Sequence, residues 1–501
     1  MKNIFKLTVL FSVTLFVGCQ EDFLETFPTE QISSEQISEA SRLNPGLQSA
    51  SVAGIYATMY TAYAGGTGNH EDFGQKSTDI KTDLLSGDMA LARKGYNRWA
   101  SISELTAPVD FTHRHNYQEW RYFYKIIFAA NTVIDALSPD GQEPEGAEAR
   151  AFMGQALAAR AYGYLYLSQL FVNDPSPANA NQLVLPIYTD TQTPNVAKSS
   201  LGDVYDLMIS DLTRAVNYLG GWTRGDKSQI DQWVARGLLA YAYGAKGDFA
   251  QMGTVAAEVV NSGVFTIMPN SQIVFQGDNN QGGFNNINAA SGAMWGVDLT
   301  ADQGIGLVSF WGQMDIFSYS YQWAGNIKAM DESLYSQISD DDVRKGQFGP
   351  YGGVNTVPYN KFYHEGRTTG GQRQVTADLF YMRVAEMYLL AAEGAAEANN
   401  LADARTYLKA LVGQRLTTGD TSYIDGLDKS GLLAEITFQS RVELWGEGKS
   451  YFRVKRRKET VNRGSNWLDF PGTSYPYNDE QLTFEIPEEE IRDNPLISEQ
   501  N

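Results

Sequence analysis

Apolar positions along the chain fall into long helical stripes at either end of a less regular middle. From Leu47 to Tyr63 they recur at Leu47, Val52, Ile55, Tyr56, Met59 and Tyr63, a spacing that puts most of them on one face of a helix. The segment Asn116 to Leu137 repeats this with Tyr117, Trp120, Tyr124, Ile127 and Ile134. Between Ala149 and Phe171, Ala156, Ala159, Gly163 and Tyr166 alternate small and large side chains at three- and four-residue steps, the pattern of closely packed helices. A helix is predicted over Gly202–Leu219, then another over Gln232–Lys246, a turn at Gly247-Asp248-Phe249, and a further helix to about Ser262.

The same texture returns at Leu379–Ala398, Leu401–Val412 and Leu432–Trp445. Helices of roughly 15 residues with alanine at packing positions and short Gly-Asp-Phe or Asn-Asn-Leu turns resemble tetratricopeptide repeats, whose units bury their apolar faces only against neighbours. The stretch from about 264 to 376 is different, rich in Gly, Asn, Gln, Tyr and Trp with no sustained helical period. Within it Ala293-Met294-Trp295-Gly296-Val297 reads as a buried strand. The expected fold class is mainly all-α: tetratricopeptide-like helical pairs in a superhelical scaffold, with a long aromatic-rich irregular region and minor β. Loop-rich insertions are placed at about 65–115 and 264–376, and helical repeats at about 149–263 and 379–460.

The N-terminus carries an address. Lys2 and Lys6 precede an apolar run, Leu7–Val17, too short to span a bilayer, and Val17-Gly18-Cys19 follows. Residues 1–18 read as a signal peptide and Cys19 as an acylated first residue, as in a bacterial lipobox. An ordinary secretory peptide with an incidental cysteine is the bland alternative. Residues 19–34 form an acidic tether containing Glu21, Asp22 and Glu25. Residues 35–501 are then one domain.

Composition narrows the function. A formal charge of −20 lacks the basic patch that replaces counterions around phosphate, so nucleic acid is excluded as a partner. One cysteine and four histidines give no disulfide framework and no zinc-ligand set; no cofactor or metal is expected. His113 and His115 lack a third ligand, and Asp340-Asp341-Asp342 lacks the spacing and glycine of a calcium loop and reads as a solvated surface or helix start. No GxSxG, HExxH or Walker signature is present, so no enzyme is expected.

Four features together resemble the SusD-like (RagB-like) outer-membrane lipoproteins. They are the lipobox followed by Asp22-Phe23-Leu24; the run Arg383-Val384-Ala385-Glu386 to Glu393; Arg441-Val442-Glu443-Leu444-Trp445-Gly446-Glu447-Gly448 with the aromatic and basic stretch Tyr451 to Arg457; and Ile486-Pro487-Glu488-Glu489-Glu490-Ile491 with Asn494-Pro495. The resemblance implies a surface-facing lipoprotein that binds glycan and caps a SusC-like TonB-dependent transporter in the outer membrane. Peptide or another nutrient is the alternative ligand, and a glycoside hydrolase a more distant one. Residue spacing gives the charged motif positions a simpler meaning, buried ion-paired packing, with Arg383, Glu386 and Glu393 at helical spacings and Arg441, Glu443 and Glu447 bridging neighbouring helices.

Sugars are held by ring faces stacked on aromatic side chains and by hydroxyls bonded to carboxylates and amides. Two loop-like segments offer that mixture. One runs from Asp72 through Asp79, Asp83 and Asp88 to Tyr96-Asn97-Arg98-Trp99, and the other holds Trp311, Tyr319, Tyr321 and Trp323. Trp99, Tyr321 and Trp323 are equally readable as ligand platforms or as loop packing, and Asp83 and Asp88 as hydroxyl acceptors, helix caps or cation ligands. Trp120, on its helical stripe, is expected in the core.

Overall fold

Each long helix of the chain buries its apolar stripe on the next. The computed structural model describes residues 34–501 apart from 140 and 278–282, so Cys19, the signal peptide and most of the acidic tether lie outside the described residues. Helix Arg114–Leu137 packs on Ala147–Leu170, which packs on Leu201–Tyr218, then Gln232–Lys246, then Phe249–Asn261. Their starts are capped by side chains that accept otherwise orphaned N–H groups: Ser200 with Asp203 in a reciprocal capping box, Asp231 to Trp233 and Val234, and Asp248 to Gln251.

The stack resumes without a break after the irregular region. Helix Phe249–Asn261 packs directly on Val384–Glu397, which packs in turn on Leu401–Val412 and Lys429–Glu443. Contact is backbone to backbone, since a β-carbon on Gly394 would lie 2.4 Å from the Cα of Gly253. The two repeat regions are therefore one array from which the middle of the chain loops out. Minor β is present as five two-stranded antiparallel sheets among the described residues.

Three expectations change. The segment expected to open a helix at Leu379 is a strand to Arg383, paired with Ala293–Val297, and the helix begins at Val384. A short buried apolar run carries no period that separates strand from helix, and the partner comes from far along the chain. Trp295 lies in that partner strand, 2% exposed, as expected. The helix expected over Leu47–Tyr63 is shorter than its apolar pattern, Ser49–Thr58, because the Met59 carbonyl accepts from Gln75 at 2.8 Å and Tyr63 turns left-handed. Finally, the region expected as a loop from Asp72 to Trp99 holds a helix, Gln75–Ser86, buried at every residue. Several of its polar side chains are paired inside: Lys76 with Asp79 at 2.7 Å, Thr78 with Glu119 at 2.6 Å, and Lys81 with Glu119. With polar groups on every face, it shows no apolar stripe in sequence.

The charged motifs form one buried network. Arg383 reaches Glu447 at 2.6 Å and Glu443 at 3.0 Å; Arg415 and Arg344 reach Glu443 at 2.9 and 3.2 Å; Lys361 reaches Glu447 at 2.8 Å. Arg441, from the same motif, bridges to a different segment, pairing with Asp88 at 2.7 Å. Burial alone would raise the Glu443 carboxyl, but Arg415 and Arg383 more than reverse it and hold it well below the usual carboxylate range. Its stabilising effect is therefore complete above the unfolded value of about 4.3 and is lost as pH falls toward the folded one. Glu443→Gln, which leaves three arginines short of charge, is expected to cost about 3–5 kcal/mol at neutral pH in urea unfolding. The gap from the parent protein should narrow as pH drops below about 4.3.

Candidate functional site

The two aromatic segments singled out in sequence meet in the structure. The Gly95 N–H donates to the Gly325 carbonyl at 3.1 Å, and Asn326 Nδ2 donates to the Arg98 carbonyl at 2.9 Å. Only glycine permits this approach, because a β-carbon at Gly95 would lie 2.5 Å from the Gly325 carbonyl carbon. Beyond it Tyr96, Asn97 and Trp99 all take left-handed φ, at 61°, 54° and 61°. Such residues cost on the order of 1–3 kcal/mol each and persist only where the surroundings over-determine them. Here the anchor is Trp99, fully buried, with its backbone N–H on Glu71 Oε1 at 2.8 Å and its indole N–H on Gln313 Oε1 at 3.0 Å.

What the anchor presents is an aromatic face. Tyr96 is 71% exposed and meets Tyr321 edge-on, ring centres 5.6 Å apart, while Asn97 beside it is exposed. Tyr319 and Trp323, 39% and 37% exposed, tilt against each other at 5.6 Å. Tyr321 is mostly buried, its hydroxyl 2.7 Å from His70 Nδ1, and it supports the face more than it contributes surface. Trp323 is pinned from behind by Gly370, where a β-carbon would come within 2.7 Å of the indole ring. Below the turn Asp315 accepts from Phe317 N–H at 2.9 Å, Ser318 Oγ at 2.8 Å and His364 N–H at 3.0 Å. Burial pushes its carboxyl up to about 6 against these hydrogen bonds.

Four sequence candidates have no surface to offer a ligand. Trp99 is the buried anchor, and Trp311 is 1% exposed with its indole N–H on the Asp378 carbonyl at 3.2 Å. Asp88 is fully buried against Arg441 and, at 3.7 Å, Arg453. Asp83 sits inside helix Gln75–Ser86 with neither oxygen in a well-formed hydrogen bond, the nearby Gly448 backbone included. Burial, then Asp88 and Asp79, push its carboxyl well above the usual range. Composition identified these residue types, but burial depends on distant partners that spacing does not reveal. Arg98 and Arg373, absent from the sequence candidates, lie over the rings of Tyr321 and Tyr319 at 4.8 and 4.5 Å. For Arg98 the signal was its place inside the aromatic run; Arg373 had none.

Elsewhere, His113 and His115 stack at 5.0 Å, and His115 is buried against Glu71. No group of three or more His, Cys, Asp or Glu side chains among the described residues has the arrangement to hold a metal. Asp342 caps the turn Val343–Gln347 and pairs with Arg344. Trp120 is core, 5% exposed, as expected. Gly95→Ala should drive the two loops apart. Hydrogen exchange at residues 94–99 and 319–326 is expected to rise with that at Phe249–Asn261 unchanged, and unfolding should cost about 1–3 kcal/mol.

Comparison with known proteins fits this architecture. Residues 269–501 match the family model described as SusD family, and residues 30–243 the one described as starch-binding associating with outer membrane. A SusD-like protein of Bacteroides ovatus is 22% identical over 291 residues, 55% of this chain and 47% of that one, so the match spans about half the length of that relative. Among solved structures, a SusD-like carbohydrate binding protein from Bacteroides vulgatus superposes with a TM-score of 0.75 at 22% identity, covering 90% of this chain and 97% of that one. Surface glycan-binding protein A of Bacteroides thetaiotaomicron, in complex with laminarihexaose, superposes at 0.68 with 13% identity, covering 91% and 99%. With these two matches lying on either side of residues 244–268 and together spanning the helical array and its loops, the chain belongs to the SusD/RagB family.

Proposed function

We propose that this protein is a lipid-anchored, exterior-facing outer-membrane protein that binds oligosaccharide and hands it to a SusC-like TonB-dependent transporter. As a SusD-family chain it binds and does not catalyse. The observation that carries the reading is the preorganised aromatic face of Tyr96, Tyr319 and Trp323, held open to solvent by a buried anchor. Exposed rings of this kind stack on the C–H faces of sugars, and Asn97 beside them supplies amide donors and acceptors for hydroxyls. Fixing the rings before ligand arrives reduces the ordering cost of binding. The starch-binding description of the family and the laminarihexaose held by one structural relative support glycan as the ligand class.

Anchoring rests on the lipobox at Cys19. Multiple acyl chains on one residue supply the stable attachment that a single chain lacks, and a tether keeps the binding body at high effective concentration beside a membrane partner. No helix among the described residues is long and apolar enough to cross a membrane.

Two measurements test this. In calorimetry against neutral and anionic oligosaccharides, Trp323→Ala is expected to weaken the glycan that binds by about tenfold, roughly 1.4 kcal/mol. Full affinity after combined loss of Trp323 and Tyr319 would overturn the site. Cys19→Ala should shift the protein from the outer-membrane fraction to the soluble one while leaving purified affinity unchanged. Continued membrane fractionation would refute the anchor.

A further inference from the structure

The charge around the aromatic face runs against the charge of the molecule. The chain carries a formal −20, a field that repels anions at long range. Yet the two side chains laid across the supporting rings of the face are both arginines: Arg98 over Tyr321 at 4.8 Å and Arg373 over Tyr319 at 4.5 Å. These rings are two residues apart on the turn that also carries Trp323.

Neither guanidinium has a close carboxylate of its own. Arg373 is exposed and, among the described residues, makes no ion pair. The one carboxylate near Arg98 is Glu71, at 4.0 Å, which is buried and already accepts from the Trp99 N–H, Asn69 Nδ2 at 2.7 Å and Arg114 Nη2 at 3.4 Å, with His115 Nε2 3.1 Å away. Arg98 spends one nitrogen on Asn69 Oδ1 at 2.8 Å. Stacking on a ring uses the flat face of a guanidinium and leaves the N–H edge of the exposed Arg373 free to take an anion in two parallel hydrogen bonds, whereas Arg98, with its Nε buried and one Nη on Asn69, contributes its positive charge and its other Nη. The positive local field is felt by His70, whose imidazole is lowered by burial and then by Arg98.

We infer that the face formed by Tyr96, Tyr319 and Trp323 takes a glycan bearing anionic substituents, with Arg98 and Arg373 reading the negative groups while the exposed rings stack on the sugars. This rests on the glycan reading above and deepens it to a substrate class. A carboxylate of a uronic acid and a sulfate ester present the same chemistry to a guanidinium edge, and a neutral glucan offers it nothing.

The test is calorimetry on the whole protein with three probe sets of similar length: oligogalacturonates, which carry carboxylates and no sulfate, κ-carrageenan oligosaccharides, which carry sulfate esters and no carboxylate, and neutral malto-, laminari- and xylo-oligosaccharides. One anionic set is expected to bind about tenfold or more tighter than any neutral one. Which set it is separates carboxylate from sulfate. Raising ionic strength from about 0.1 M to about 1 M, which shortens the screening length from about 10 to about 3 Å, should reduce that preference. Arg373→Gln and Arg98→Gln should each lower anionic binding more than neutral binding and so erode the preference, and Trp323→Ala should weaken both classes. Because Arg373 is exposed and makes no ion pair among the described residues, its glutamine variant keeps the test valid if Arg98→Gln fails to fold. Neutral binding as tight as anionic binding, or a preference that survives Arg373→Gln, would overturn this inference and leave the glycan reading standing. Absence of binding to all three sets would overturn both.

Discussion

Three arginines and a lysine, with side chains no more than 1% exposed, converge on Glu443 and Glu447, and the geometry of the protein hangs on that convergence. Buried ion pairs add little net stability because desolvation consumes most of the Coulombic gain, but a missing partner leaves an uncompensated charge. Such a network acts as a specification. Arg383 ends a strand, Glu443 ends a helix, Arg415 follows another, and Arg344 and Lys361 come from the irregular middle of the chain. Arg415 also donates to the Met268 carbonyl at 2.8 Å, and Lys361 to that of Trp445 at 2.8 Å. The point where the insertion leaves the helical array and two points inside it are thus fixed to one pair of acids.

That fixing allows a long irregular segment to carry a rigid site. Loops are mobile when their backbone groups face water. Here the turn over 319–326 is tied to the loop at 94–99, to Asp315 beneath it and to Gly370 behind Trp323. The strained run Tyr96–Trp99 is held by the burial of one large ring. A tryptophan that looked like a ligand platform serves instead to position others, so its neighbours are exposed because it is not.

The positive rim and the aromatic face are separate in origin. The rings are set by backbone clamps, whereas Arg98 and Arg373 arrive from different loops, Arg98 over the inner ring of Tyr321 and Arg373 over the half-exposed ring of Tyr319. A face of fixed rings with exchangeable charges around it lets a shared scaffold serve different glycans by changing a few loop residues, in keeping with function residing in sites grafted on folds.

The sequence by itself determined the repeat helices, because an amphipathic stripe is a local pattern: Gln232–Lys246 and Leu401–Val412 have the bounds that periodicity assigns, and Trp295 and Trp120 are buried as their contexts imply. It also determined which two segments hold the aromatic chemistry. Only the tertiary structure decided that residues 75–86 are a wholly buried polar helix, that Leu379–Arg383 is a strand, and that Asp83, Asp88, Trp99 and Trp311 face inward while Tyr96, Tyr319 and Trp323 face out. The reason is physical. Whether a carboxylate or an indole is exposed depends on partners hundreds of residues away, such as Arg441 for Asp88 and Gln313 for Trp99, and no local spacing records them.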